Sequence, residues 1–243
     1  MAIGKARDQI GRIFSQRCFY LFLLLLTLVG VVPFIEPTPI GRVLVNALNI
    51  MILVATVAAV GRSTLSFVII VLLALGVMTT QYFGIDWGDE GHLAHSWAFG
   101  AALYAFTIAY MLRYVFQPDV MTSDKLFGAA AAYLMLGNFW TLVYALVGQY
   151  YPGSFLVAGA VVTPALTDLL YFSFTVLTST GFGDIVAVTR QARAICVLEQ
   201  LTGTLFIAIL IARLAGVYPT SRRSEEAQSQ ASGASRNGNR DSL

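Results

Sequence analysis

The residues with the most chemical character lie in one short segment, Thr178-Ser179-Thr180-Gly181-Phe182-Gly183-Asp184. It offers hydroxyl and backbone oxygens, two glycines separated by an aromatic ring, and a closing acid. Glycine adopts φ > 0 without steric cost, so the pair can place backbone where other residues resist it. The segment ends an apolar stretch, Tyr151–Thr180, that is broken by Pro152, Gly153, Gly159 and Pro164. Lipid does not tolerate such backbone unless protein or a water-filled cavity satisfies its polar groups. The stretch therefore reads as a re-entrant loop. A Gly-rich bend in the loop of a transporter is the competing reading of the same residues.

Glu199 is the only acid well inside an apolar run. An ionisable residue at such a place is a functional candidate by default. Its expected neighbours are loop hydroxyls such as Thr175 or Thr178. Two roles stand open: stiffening or charging the surround of the 178–184 loop, or serving as a protonated or hydrogen-bonded structural acid. Asn46, Asn49 and Asn138 are expected to join helices by hydrogen bonds. His92 and His95 flank an acidic loop, which suits interfacial placement or, alternatively, metal binding or pH sensing. Arg190 and Arg193 follow the glycine segment and are expected to pair with Asp184, Asp168 or lipid phosphate. Cys18 and Cys196 make no framework and read as small apolar fillers.

These residues must be held by elements built for lipid. Of the 243 residues, 57% are hydrophobic and only 12% charged, against roughly 45–50% and about 25% in soluble domains. With a mean hydropathy of +0.73, this excludes disorder, a nucleic-acid partner and an ordinary cytosolic enzyme. Six apolar runs approach the ~20 residues a spanning helix needs: Phe19–Ile35, Val43–Gly61, Ser63–Phe83, Leu93–Gln117, Lys125–Gln149 and Arg193–Val217. Pro33 suggests a stop for the first. The second and third form a tight helical hairpin. No small-residue cleavage site follows the first run, so it reads as an anchor rather than a signal peptide.

Placing the amino terminus inside puts all but three of the 15 Lys and Arg on the cytoplasmic side; Arg42, Arg190 and Arg193 remain outside. The positive-inside rule then places both termini in the cytoplasm. The acidic loop with Asp86, Asp89 and Glu90 falls outside, and the re-entrant loop enters from outside. Thr163-Pro164 is expected to open a loop helix ending near Thr178, with Asp168 in its first turn. The polar tail from Pro219 reads as disordered.

Ser179-Thr180-Gly181-Phe182-Gly183-Asp184 resembles the selectivity filter of pore-loop potassium channels, whose pattern is T-V-G-Y-G-D. Ser179 stands for Thr, Thr180 for Val, and Phe182 for Tyr. Gly203 lies where many family members carry a hinge glycine. The resemblance is specific over about 125–217; over 19–117 it is only the six-span outline of a voltage-gated-type subunit without its charges. It implies that carbonyls of Ser179, Thr180, Gly181 and Phe182 line an ion path for K+, with the Ser179 hydroxyl as the lowest ring. One chain supplies one carbonyl per level, so a homotetramer is implied. The loop helix would aim its carboxyl end at the membrane centre, where its partial negative charge favours a cation.

The fold class expected is thus an all-α membrane protein. It has six transmembrane helices, with a re-entrant pore helix and filter between spans five and six. Residues 1–18 form a cytoplasmic amino terminus, 19–117 a four-helix voltage-sensor-like domain, 118–218 the pore domain and 219–243 the tail. The function expected is passive K+ conduction across the plasma or inner membrane, without a cofactor or enzymatic activity. A non-selective cation channel and a non-conducting scaffold are the alternatives. The family's cavity-facing positions imply that Gly203, Thr204, Ile207 and Ile211 line or gate the path. Arg113 is the one cation of the fourth span, which predicts shallow voltage dependence.

Overall fold

The computed structural model describes residues 17–35, 90–118 and 121–217 continuously, with further helical residues at 44, 47–52, 55–56, 68–69, 71–77 and 79. The runs Val43–Gly61 and Ser63–Phe83 are thus only partly described. Residues 1–16, Asn46, the acids Asp86 and Asp89, the His92 side chain and the tail lie outside the described residues.

Helix α1 (Arg17–Val31) passes into a 3-10 turn, Val32–Phe34, at Pro33. At 1.5 Å per residue it is about 22 Å long, shorter than the ~30 Å hydrocarbon core. Helices α2 (Glu90–Val115), α3 (Ser123–Tyr150) and α5 (Arg190–Val217) each contain a stretch long and apolar enough to cross a membrane. Between α3 and α5 lies the shorter apolar helix α4 (Leu166–Leu177).

Helix α3 is the central post. Thr122 caps it by accepting from the Lys125 N–H at 3.4 Å, and Asp124 sits in its first turn. Both features favour a helix start there. Ala129, Ala131, Ala132 and Gly137 are buried on α3, and such small side chains let neighbouring helices approach closely. One core joins Leu21 and Leu25 of α1, Met111 and Val115 of α2, Met135 of α3 and Phe206 of α5. A second gathers Tyr144, Phe155, Phe172, Leu177 and Ile185 around α4. Within it the Tyr144, Phe155 and Phe172 rings meet edge-on, with centroids 5.0–5.8 Å apart. At the opposite end, Asp124 accepts from the Cys18 N–H at 3.0 Å and from the Tyr114 hydroxyl at 2.8 Å. One carboxylate thereby ties α1, α2 and α3. Asn138 departs from expectation: its amide donates to Leu134 O at 2.8 Å, inside its own helix, rather than across to another.

The structure is mostly helical, in line with the expected class, with one small sheet beside the helices. After α3 the chain forms a small antiparallel sheet in the order β2-β1-β3, from β1 (Phe155–Val157), β2 (Ala160–Val161) and β3 (Ile185–Ala187). Leu156 faces Val161 across the hairpin and Val186 across the other pair. Strands of two or three residues are too short to reveal alternation in sequence. The turn residues Ala158 and Gly159 have φ of 49° and 83°, the positive pair that a tight hairpin favours. Alanine lacks the usual turn signature, and a Cβ in the left-handed region costs about 1–2 kcal/mol. Ala158→Asn is therefore expected to raise the thermal midpoint of the purified protein. Ala158→Val, branched at Cβ, is expected to lower it. The reverse order would show that this turn carries no strain.

Candidate functional site

Helix α4 begins two residues later than Thr163-Pro164 suggests. Ala165 is its N-cap, with φ −66° and ψ 160°. The Asp168 carboxylate reaches back to accept the Ala165 N–H at 3.1 Å. A first-turn acid thus satisfies a donor that an alanine cap cannot, which is why the start lies beyond the proline. The helix buries Leu169, Phe172, Ser173 and Leu177 and leaves Tyr171 exposed.

At Leu177 the chain turns out of the helix, and its N–H groups fold back onto the last turn. Thr178 N–H donates to Phe174 O at 3.1 Å and Ser179 N–H to Val176 O at 2.9 Å. Thr180 and Gly181 N–H both reach Thr175 O, at 2.8 and 3.2 Å. The Thr178 and Thr180 hydroxyls lie 2.9 Å apart. With their donors turned inward, these residues leave their carbonyls for other partners. Ser179, Gly181 and Gly183 have φ of 57°, 56° and 82°, whereas Thr180 and Phe182 between them do not enter the positive region. The handedness therefore alternates residue by residue. Ser179 is the one non-glycine residue on the left-handed side of this loop, a strain of a kind that clusters at functional sites.

The loop is braced on one side and open on the other. Residues 178–184 are all exposed. The Phe182 ring stacks on Tyr171 at 6.2 Å with an interplanar angle of 9°. Past the loop, Asp184 O accepts from the Ala158 N–H at 2.9 Å, so the hairpin turn holds the loop's far end. Ser154 secures the same region through its carbonyl to Val188 N–H at 2.9 Å and its hydroxyl to Thr189 at 3.0 Å. Arg193 departs from the expected acid pairing: its Nε donates to Ala187 O at 3.2 Å.

Glu199 is fully buried on α5. Its partners are not Thr175 or Thr178, whose hydroxyls donate to Phe172 O and Phe174 O on their own helix. They are Tyr144, whose hydroxyl donates to Oε2, and Ser173, 2.5 Å from Oε1. Both are residues that sequence reasoning missed. The signal was faint: Gly137, Thr141 and Tyr144 recur at helical spacing on α3, and Ser173 is a hydroxyl on the buried face of α4.

Gly203 also departs from expectation. It is buried, and a Cβ built on it would come 2.3 Å from Leu177 O. It faces its own α4 rather than an open path. Thr204, Ile207 and Ile211 are exposed, the two isoleucines by 43% and 60%. The fixed point at the Leu177 carbonyl is thus touched from two sides, by Gly203 and by the Tyr133 hydroxyl at 3.4 Å.

The arrangement holds an exposed run of backbone and hydroxyl oxygens at the end of a short helix, between two helices able to cross a membrane. Such oxygens coordinate hard cations. No curated protein and no solved structure matches the chain. Residues 126–218, which hold nearly all of α3 and everything from β1 through α5, match the family model described as Ion channel. Over that segment the chain is similar to ion channels.

Proposed function

We propose that the protein is the subunit of a homotetrameric, potassium-selective channel that conducts K+ passively through a path lined by Ser179, Thr180, Gly181 and Phe182. The observation that carries this reading is the alternation of positive φ at Ser179, Gly181 and Gly183 with the intervening Thr180 and Phe182. Alternating handedness turns successive carbonyls to one side. A column of such oxygens can replace the hydration shell of an ion. Four columns are needed to surround an axis, and each chain supplies one.

The dimensions support a re-entrant entry. Helix α4 has 12 residues, about 18 Å of length, which reaches only to the middle of a ~30 Å core. Its carboxyl end then presents partial negative charge to an ion there. The exposed apolar faces of α4 and α5, including Tyr171, Leu198, Leu201 and Leu205, suit lipid and neighbouring subunits. Six spans, with Val43–Gly61 and Ser63–Phe83 among them, and cytoplasmic termini in the plasma or inner membrane complete the proposal. Thr204, Ile207 and Ile211 line the path below the filter. Gly203 supports it from behind.

Reconstitution of the full chain in vesicles with potassium on one side and sodium on the other tests the function. Reversal of the current at the potassium equilibrium potential is expected. Reversal near zero would make the protein a non-selective cation channel. Absence of current from a correctly assembled tetramer would make it a scaffold.

A further inference from the structure

We infer that Glu199 is a neutral carboxylic acid whose proton is given to Ser173, and that it acts as a positioning residue for the filter. The argument is a count of protons. Three close oxygen pairs run in series: Tyr144 Oη with Glu199 Oε2, Glu199 Oε1 with Ser173 Oγ at 2.5 Å, and Ser173 Oγ with Gly137 O at 2.8 Å. Each pair needs one proton between its oxygens, since two bare lone pairs repel at these separations. The tyrosine supplies one and the serine one. The Gly137 carbonyl has none to give. The third proton must sit on Glu199.

The order is then fixed in one direction: Tyr144 donates to Glu199, Glu199 to Ser173, and Ser173 to Gly137. An ionised Glu199 would leave the Ser173 hydroxyl to serve two acceptors with one proton. It would also place a full charge, reached among the described residues only by two hydroxyls, where the side chain is 0% exposed. An unpaired buried charge is far more costly than a hydrogen-bonded neutral acid. The titratable groups facing it are Tyr133 and Tyr144 of α3 and Cys196 of its own helix. None of these is a cation at neutral pH.

The consequence reaches the filter in two steps. Ser173 fixes the rotation of α4 between α3 and α5. Thr175, two residues on, offers the carbonyl that holds the N–H groups of Thr180 and Gly181. Rotation of α4 would carry that carbonyl away from the filter backbone. This last step rests on the channel reading above; the proton count does not.

Infrared difference spectroscopy of the full chain in lipid at neutral pH tests the proton directly. The wild type is expected to show a protonated-carboxyl stretching band that is lost in Glu199→Gln. In Ser173→Ala the acid loses its acceptor, so the band is expected to move to higher frequency. Absence of the band from the wild type, or an unmoved band in Ser173→Ala, overturns the inference. Should Glu199→Gln fail to assemble, the Ser173→Ala shift decides alone. The glutamine amide can donate one of its two N–H groups to Ser173 and accept from Tyr144 on its oxygen, so the assembled Glu199→Gln channel is expected to keep the wild-type reversal potential. A changed reversal potential would overturn the positioning role. If the wild type carries no current while the band is present, the channel reading fails and the neutral acid stands.

Discussion

Gly181→Ala or Gly183→Ala is expected to abolish selective conduction while leaving the membrane helices inserted. Both glycines lie in the left-handed region, at φ 56° and 82°, and an added Cβ would meet nothing within 4 Å in the protomer. The penalty is therefore conformational rather than steric. It amounts to about 1–2 kcal/mol per residue, and it recurs four times around one axis in the proposed tetramer. The loop can escape the strain only by leaving the alternation that turns its carbonyls to one side. Ser179 already holds φ 57° without being a glycine, so the loop has little capacity for a second such residue. The measurement is the reversal potential in opposed potassium and sodium, with assembly checked by native mass. A Gly181→Ala channel with wild-type current and selectivity would place the ion path elsewhere in the chain.

Hydropathy made the long helices legible. The runs Leu93–Gln117, Lys125–Gln149 and Arg193–Val217 correspond to helices Glu90–Val115, Ser123–Tyr150 and Arg190–Val217. The helices start two or three residues earlier than the runs and end within two residues of them, because polar residues such as Ser123 and Arg190 open a helix before its apolar signal begins. The glycine segment was legible for a different reason: only glycine marks positive φ in sequence. Ser179 and Ala158 share that conformation, and nothing in their side chains announces it. The strands were invisible because two or three residues carry no period.

Side-chain partners across helices were the least legible. Sequence spacing gives a residue's face on its own helix but not its depth against a neighbour. Glu199 was recognisable as an acid in an apolar run, and its contact with the loop helix was foreseen. The hydroxyl it meets depends on the axial offset of α4 and α5. The close approach of Gly203 to Leu177 O sets that offset, and the approach of Gly137 of α3 to the Phe174 ring, where an added Cβ would come 2.5 Å from Phe174 Cζ, seats α4 against α3. Ser173 rather than Thr175 is thereby brought level with the carboxyl. The same offset leaves the Trp140 indole to donate to Thr202 at 3.2 Å, a second α3–α5 tie one turn from the first.

Gly203→Ala separates two accounts of that glycine by the sign of its effect. If Gly203 is a hinge in a free stretch of helix, alanine stiffens it. Alanine is better than glycine in a helix by about 0.8–1.0 kcal/mol, so the thermal midpoint should rise while opening is altered. The geometry predicts the opposite. The new methyl would lie 2.3 Å from Leu177 O and 2.9 Å from Leu177 Cδ1. The side chain can turn aside, but the carbonyl belongs to the last turn of α4 and cannot. Either α5 moves off α4 or the end of α4 is pushed toward the filter. Overpacking of this kind costs about 1–3 kcal/mol, which exceeds the gain in helix propensity. A displaced Leu177 also moves Thr178 and Ser179, which lead into the proposed filter. Gly203→Ala is thus expected to lower the thermal midpoint of the detergent-solubilised protein and, in the proposed channel, to degrade potassium over sodium selectivity. Leu177→Ala, which shortens the side chain but keeps the carbonyl, should not rescue it. A more stable Gly203→Ala tetramer with intact selectivity would show that the close approach of α5 to the α4 carbonyl is not part of the working channel.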